Sequence, residues 1–311
     1  MKESLMNPLD HSLLQPGTLW SETSARTKTA RQSGALKSIE TEYHLIQQRD
    51  IAFIVRTLSN LALKETARVK QAQQEARIGK RIDPFLPYEP DLFVGDISPT
   101  HICLLNKFNV VDNHLLIVTR AFEEQTNLLN LEDFTALWSC MQEIQGLAFF
   151  NGGKIAGASQ RHKHLQLIPL PFLPDVIDIP LAQAIANTTF KNSLGRIASF
   201  PFLHRVATLD ISPHHTPAEA AQIMLERYHS LLHQIGFKLH PHTQQQPGAY
   251  NFLATRSWMM IVPRSQESFK TISINSLGFA GSLFVRDQAS LKLLQELTPL
   301  KLLTKVTFAD S

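Results

Sequence analysis

The chain has 311 residues, 43% of them hydrophobic, with 30 Lys plus Arg against 27 Asp plus Glu. That supplies a sizeable core for one large domain or two, and a near balance of charge without a dense basic block gives no duplex-binding surface. Cys103 and Cys140 are the only cysteines and form no CxxC pair, which rules out a disulfide framework or thiolate zinc site and points to a reducing cytoplasm.

Residues 1–35 are polar ("SETSARTKTARQSG") and read as a loosely held lead-in, with function expected elsewhere. The N-terminus lacks an apolar signal-peptide core and no later run is long enough for a bilayer, so the expected setting is soluble and cytoplasmic, with no membrane and no nucleic-acid partner. "ICLLNKF" and "HLLIVTR" read as two strands joined by the polar turn "NVVDN". A helix follows: Asn130 is an N-cap with Asp133 three positions on, and Phe134, Leu137, Trp138 and Met141 recur at helical spacing as a core stripe.

From Asn151 to Gln160 the sequence is "NGGKIAGASQ", whose glycines let the backbone turn sharply and offer its N–H groups to an anion. It is not a Walker A loop, because Gly157 is followed by Ala158 and Ser159 where that motif needs Lys and then Ser or Thr. Beyond Pro174 the chain is irregular until Thr216, Pro217 and Glu219 supply a cap, a first-turn proline and a capping-box acid for a helix running to Gly236. "YNFLATRSWMMIVPRS" then repeats the pattern of strand, polar turn and strand, a weak sign of duplication.

The chemistry concentrates in "RHKHLQLIP". An extended backbone from residue 162 onward puts His162, His164 and Gln166 on one face and Lys163, Leu165 and Leu167 on the other. Imidazole is neutral, nucleophilic and able to leave again near neutral pH, which suits accepting a phosphoryl or nucleotidyl group and passing it on. One ring can attack phosphorus while the other, with Gln166 and the loop N–H groups, holds the phosphate oxygens. An isolated H-x-H more often just satisfies its rings with water or carbonyls; the glycine-rich loop upstream and Gln166 in period shift the balance. A catalytic metal is not expected, since no carboxylate follows the histidines.

"HKHLQ" after "NGGKIAGASQ" resembles the H-x-H-x-Q motif of the transferase branch of the histidine-triad superfamily, in particular the ATP adenylyltransferases, also called diadenosine tetraphosphate phosphorylases. The likeness extends through "DPFLPYEPDLFVGDISPTHICLLNKF", "HLLIVTRAFEEQ", "YNFLATRSWMMIVPRS" and "INSLGFAGSLFVR", from about residue 45 onward. It implies an α+β fold, a histidine-triad-like antiparallel sheet with flanking helices and a duplicated, pseudo-two-fold core, as one domain over 36–311 with halves of about 36–175 and 176–311. It further implies His164 as the nucleophile that takes AMP, Gln166 as an α-phosphate ligand and His162 as a support of the site's geometry. Asn151, Gly157, Ala158, Ser159 and Gln160 are the implied phosphate loop, and Asn106 the ribose contact. Asn275, Ser276, Leu277, Ser282 and Arg286 would complete the second nucleotide's site, and Lys64 is a candidate phosphate lysine.

The reaction implied is reversible phosphorolysis of diadenosine tetraphosphate to ATP and ADP through an adenylyl-histidine. The partners are small molecules (the dinucleotide, phosphate, ATP and ADP); no cofactor is tightly bound, although Mg²⁺ can accompany the nucleotide. Two alternatives stand beside it: a related nucleotidyltransferase or phosphorylase using another nucleotide or nucleotide sugar, and a dinucleotide sensor without turnover. "HPHTQ" at 240–244 spells the uridylyltransferase pattern but is followed by "QQPG" where a buried strand is needed, so it reads as a loop.

Overall fold

Within the polar N-terminal stretch, residues 19–33 form a docked helix where a loose lead-in is expected. In the computed structural model, which describes residues 13–58, 77, 79, 82–174, 177–212, 214–240 and 242–310, helix α1 spans Leu19–Ser33 and docks on the body. Leu19, Thr23, Thr27 and Ala30 fall at helical spacing and are buried, a stripe made of small hydroxyls rather than large apolar groups. The Thr27 hydroxyl donates to Asn113 Oδ1 at 2.8 Å. The helix start is satisfied from elsewhere, because the Glu143 carboxylate accepts from the N–H groups of Gly17 and Leu19 at 2.9 and 2.7 Å. Gly34, at φ 75°, ends it in the left-handed conformation that glycine adopts without penalty.

Strands β1 (Thr41–Gln48) and β2 (Ile51–Leu58) form a hairpin, and β15 (Ser282–Val285) adds parallel to β2. The main sheet comprises β3 (Phe93–Ser98), β4 (His101–Leu105), β5 (Leu115–Thr119), β6 (Gly146–Gly152), β7 (His164–Pro169), β8 (Phe190–Lys191), β9 (Leu194–Gly195), β10 (Arg205–Thr208), β11 (Tyr250–Ala254) and β12 (Trp258–Pro263). A small hairpin of β13 (Ser268–Phe269) and β14 (Ile272–Ser273) stands apart. Among the described residues, the other helices are α2 (Leu131–Glu143), α3 (Ala182–Ala186), α4 (Pro217–Gln234), α5 (Ser276–Phe279), α6 (Gln288–Leu297) and α7 (Pro299–Thr304).

The order of the ten-stranded sheet, β3-β4-β5-β7-β6-β11-β12-β10-β9-β8, is antiparallel throughout. Read outward from the central β6–β11 pair, both sides run alike: β6, β7, β5, β4, β3 on one and β11, β12, β10, β9, β8 on the other. The connections match as well, since α2 links β5 to β6 and α4 links β10 to β11. The weak sequence repeat is therefore a duplicated topology, in agreement with the α+β expectation. Both helices start as their sequences require, with reciprocal capping boxes at Asn130/Asp133 and Thr216/Glu219.

Side-chain alternation divides the sheet into two faces. Ala148, Phe150, Leu165 and Leu167 pack with α1, α2 and α4 in one core. Leu147, Phe149 and Ile168 face the other way, against β2, β15 and the C-terminal helices. On that second face a smaller cluster gathers Phe85, Ile102, Leu104, Leu116 and Val118. His164 lies directly opposite Val118, and Gln166 lies between Leu116 and Phe149, so these two polar groups sit in the seam between the clusters. Among the described residues, no helix is long and apolar enough to cross a membrane.

Candidate active site

The glycine-rich segment starts as the end of β6 and turns at Gly153 (φ 85°) and Gly157 (φ 92°) around a short 3-10 turn, Lys154–Ala156. A Cβ on Gly157 would lie 2.8 Å from the Ile274 carbonyl oxygen, so only glycine lets the C-terminal segment approach here. A buried polar knot holds the two together. Asn151 Oδ1 accepts from Asn251 Nδ2 (2.8 Å), from the Ser276 N–H (2.9 Å) and from the Ser276 hydroxyl (2.8 Å), while Asn251 Nδ2 also donates to the Ala156 carbonyl (2.8 Å). Arg264, 3% exposed, donates to Asn251 Oδ1 at 2.6 Å and to the carbonyls of Ile274, Gln266, Glu267 and Val306. Burial lowers its guanidinium to about 10, so it stays charged at neutral pH, neutralised by carbonyl dipoles and lying over the Phe279 ring.

The motif itself is built differently from the sequence expectation. β7 begins at His164, so His162 precedes the strand instead of sharing it. Residues 161–163 pair with the last residue of β5 and the loop after it, through Gln125 N–H to the Arg161 carbonyl (2.6 Å), Lys163 N–H to the Glu123 carbonyl (2.8 Å) and Thr119 N–H to the Lys163 carbonyl (3.1 Å). The His162 ring is held at both nitrogens: Nδ1 donates to Asp83 Oδ2 (2.8 Å), and Nε2 faces the Thr119 carbonyl (2.7 Å) and hydroxyl (3.0 Å). Behind the motif, Lys163 is buried against Asp133 (2.5 Å) and Glu123 (3.1 Å). Burial alone would raise the Asp133 carboxyl, but the His101 hydrogen bond and Lys163 outweigh it and hold it below the usual range.

His164 is 5% exposed. Its Nδ1 donates to the His162 carbonyl at 2.8 Å, which fixes the tautomer and leaves the lone pair on Nε2. Among the described residues, Nε2 has no hydrogen-bond partner. Burial pushes the ring down to about 4, against the opposing pull of the His162 carbonyl, so it is neutral at pH 7. Gln125 grips the backbone of the same residue: its Oε1 accepts from the His164 N–H (2.8 Å), and its Nε2 donates to the carbonyls of His164 (3.2 Å) and Asn151 (3.0 Å). This side chain ties β7 to the end of β6 where the two strands diverge. The edge of Phe85 rests on both histidine rings, at 5.7 Å from His162 and 5.3 Å from His164.

Gln166 is oriented by a histidine that periodicity did not single out. Asn106 Nδ2 donates to His114 Nδ1 (3.2 Å), and His114 Nε2 donates to Gln166 Oε1 (3.0 Å). The amide oxygen is thereby engaged, and the Gln166 N–H groups remain for a ligand. The arrangement offers a neutral nucleophile with a defined lone pair beside an uncharged donor, which suits attack on a phosphate whose oxygens need hydrogen bonds but no proton.

Of the other residues expected in the site, the Asn151 oxygen and the Ser276 hydroxyl serve the polar knot, with the Phe150 carbonyl a second acceptor within reach of the Ser276 hydroxyl (3.0 Å). Asn275 borders Gly157 and caps α5, accepting from the Leu277 N–H at 3.0 Å. Leu277 is part of the core. Ala158 closes the loop turn through its N–H to the Gly153 carbonyl (3.1 Å), Ser159 is exposed and Gln160 half-buried. Ser282 and Arg286 lie on β15 and just past it, in the three-stranded sheet, and no described hydrogen bond links either to the loop or the motif. Lys64 lies outside the described residues. His240 and His242 are exposed on a loop, as expected for a chance "HPHTQ". Sequence reasoning missed Asp83, Phe85, His114, Gln125, Asn251 and Arg264; each reaches the site across a long separation that no local period encodes.

The family model described as "Ap4A phosphorylase N-terminal domain" matches residues 9–187, and "ATP adenylyltransferase C-terminal domain" matches 198–309. Diadenosine 5',5'''-P1,P4-tetraphosphate phosphorylase 2 of Saccharomyces cerevisiae is 29% identical over 295 residues, covering 86% of this chain and 87% of the relative. Protein APA1 of the same organism is 24% identical over 288 residues, covering 88% of each. The crystal structure of yeast Ap4A phosphorylase Apa2 superposes with a TM-score of 0.75 at 24% identity, covering 96% of this chain and 100% of that one. Fold and family models together define a nucleotidyltransferase built on a doubled antiparallel sheet. The chain belongs to the Ap4A phosphorylase family.

Proposed function

We propose that this chain catalyses reversible phosphorolysis of diadenosine tetraphosphate to ATP and ADP through an adenylyl-histidine on His164. The observation that carries the reading is the His164 ring: Nδ1 is committed to the His162 carbonyl and burial keeps the ring neutral, so its reactive pair is at Nε2. In the first step that pair attacks the α-phosphorus; the bond from phosphorus to the bridging oxygen breaks and its electrons leave with ATP. No proton moves, since ATP is a stable anion and Nδ1 keeps its hydrogen. Inorganic phosphate then attacks the adenylyl group, forms ADP and returns the pair to Nε2. Gln166, held by His114, donates to the α-phosphate as charge builds on it. The glycine-rich loop offers its N–H groups to the remaining phosphates, with Gln160 and Ser159 at its accessible end. The scheme needs no resident cofactor, and Mg²⁺ enters only with the polyphosphate.

The names of the yeast relatives agree with this substrate. The test is incubation with diadenosine tetraphosphate with and without phosphate. Phosphate-dependent release of equimolar ATP and ADP is expected, with an adenylate mass on the peptide containing His164 in quenched samples. Turnover by His164→Ala, or hydrolysis without phosphate dependence, refutes the reading.

A further inference from the structure

We infer that Asp83 is a positioning residue for nucleotidyl transfer, acting through His162 to hold the His164 ring in its reactive tautomer. The inference rests on the phosphorolysis reading above and adds a residue that neither motif nor spacing indicates.

The chain of contacts is continuous. Asp83 sits in the loop leading to β3, 79 positions from His162 in sequence. One carboxylate oxygen, Oδ2, accepts from His162 Nδ1 at 2.8 Å; the other, Oδ1, accepts from the Phe85 N–H at 2.9 Å. The far side of the His162 ring is fixed on Thr119, at 2.7 Å from its carbonyl. The ring therefore cannot rotate without breaking a bond at each end, and this hold adds to the backbone hydrogen bonds that already pin residues 161–163. That backbone supplies the carbonyl on which His164 Nδ1 rests. Asp83 thus helps hold in place the acceptor that decides which nitrogen of His164 carries the proton. The same loop lays Phe85 against both rings, closing the apolar side of the nucleophile.

Both carboxylate oxygens are needed. Asn in place of Asp keeps the volume but has one oxygen, so it can accept from His162 or from Phe85 but not from both. When His164 takes the nucleotidyl group its ring becomes a cation with the hydrogen still on Nδ1, and a fixed carbonyl acceptor backed by a nearby carboxylate favours that state over the free neutral ring. Asp83 never touches substrate in this account. Its effect belongs on kcat, with substrate affinity preserved.

The experiment compares the full chain with Asp83→Asn and Asp83→Glu in two readouts. Asp83 has 21% of its side chain exposed and lies in a loop, so the variants keep the core. The first readout is steady-state phosphorolysis of diadenosine tetraphosphate. Asp83→Asn should lower kcat by about 10–100-fold with KM changed less than about 3-fold, and Asp83→Glu should recover part of the loss. The second is the tautomer of His164 by NMR of ¹⁵N-histidine protein, which needs no activity. The native chain should show only the Nδ1–H form, and Asp83→Asn a mixture. If Asp83→Asn keeps native kcat and a pure Nδ1–H ring, the inference is wrong. If the native chain has no phosphorolytic activity, the proposed reaction fails, and the NMR comparison still decides what Asp83 does.

Discussion

Gln125→Met tests how the backbone of His164, the proposed nucleophile, is held. Gln125 is 2% exposed and makes three hydrogen bonds, one from the His164 N–H and two to the carbonyls of His164 and Asn151. Met matches its length and fills its space but supplies neither donor nor acceptor, so packing is largely kept while three buried backbone groups lose a partner. A net 0.5–1.5 kcal/mol per hydrogen bond, with the higher cost of a stranded donor, gives a loss of about 2–4 kcal/mol. The catalytic loss has a separate origin: without the clamp the first residue of β7 loses its hold on the β6 side, and a shift of the ring by a fraction of an ångström costs about 10–100-fold in kcat. Urea unfolding followed by tryptophan fluorescence reads the first quantity and phosphorolysis kinetics the second. A Gln125→Met protein within about 0.5 kcal/mol of the native chain and with native kcat would refute the claim that this side chain ties the motif to β6.

Because burial holds the His164 ring at about 4, kcat/KM should lack the loss near pH 6.5 that an ordinary imidazole gives and turn down only toward pH 4, which a pH–rate profile checks. Stability should follow the same groups. His164 and the buried His204 are both held at about 4, so below pH 6.5 the unfolded chain binds protons the folded one refuses, and the unfolding free energy from urea titrations should fall from pH 6.5 toward 4 by up to about 1.4 kcal/mol per pH unit for each. Gly157→Ala forces a side chain onto a φ of 92° and against the Ile274 carbonyl, so the loop should shift and KM for dinucleotide rise about 10-fold or more, measured by the same kinetics. Arg264→Met strips the charge that four carbonyls and Asn251 surround, and should destabilise the fold by about 3–5 kcal/mol in chemical unfolding.

Period and punctuation carried much of the architecture. Both capping boxes, the apolar stripe of α2 and the strand pairs on either side of the sheet follow from local patterns, and the period of two correctly places His164 and Gln166 on one face. His162 lies just before β7, where it is extended and bridges Glu124 in the loop after β5, and its ring meets Phe85 together with that of His164. α1 was invisible in the sequence: its buried stripe includes Thr23 and Thr27, whose hydroxyls give no hydrophobic signal, and its start is capped by Glu143 from 124 positions away. The partners that prepare the motif, Asp83, His114 and Gln125, obey no spacing at all. A hydrogen bond between residues 39, 52 or 79 apart is a property of the fold, and only the fold reveals it.

The duplication explains how one site arises from two similar halves. The strand equivalent to β7 in the second half is β12, whose sequence, Trp258-Met259-Met260-Ile261-Val262-Pro263, is apolar and buried at every position. It has no imidazole to offer. What the second half contributes is Asn251 on β11, directly opposite Asn151 in register, followed by Arg264 just past β12 and Ser276 in α5. These three converge on the glycine-rich turn of the first half and fill its inner side with bonds to Asn151 and Ala156. A loop with glycines at φ 85° and 92° has little conformational preference of its own, so its shape must be imposed from outside. The second half offers no imidazole on the matching strand and instead shapes the first half's loop across the β6–β11 seam.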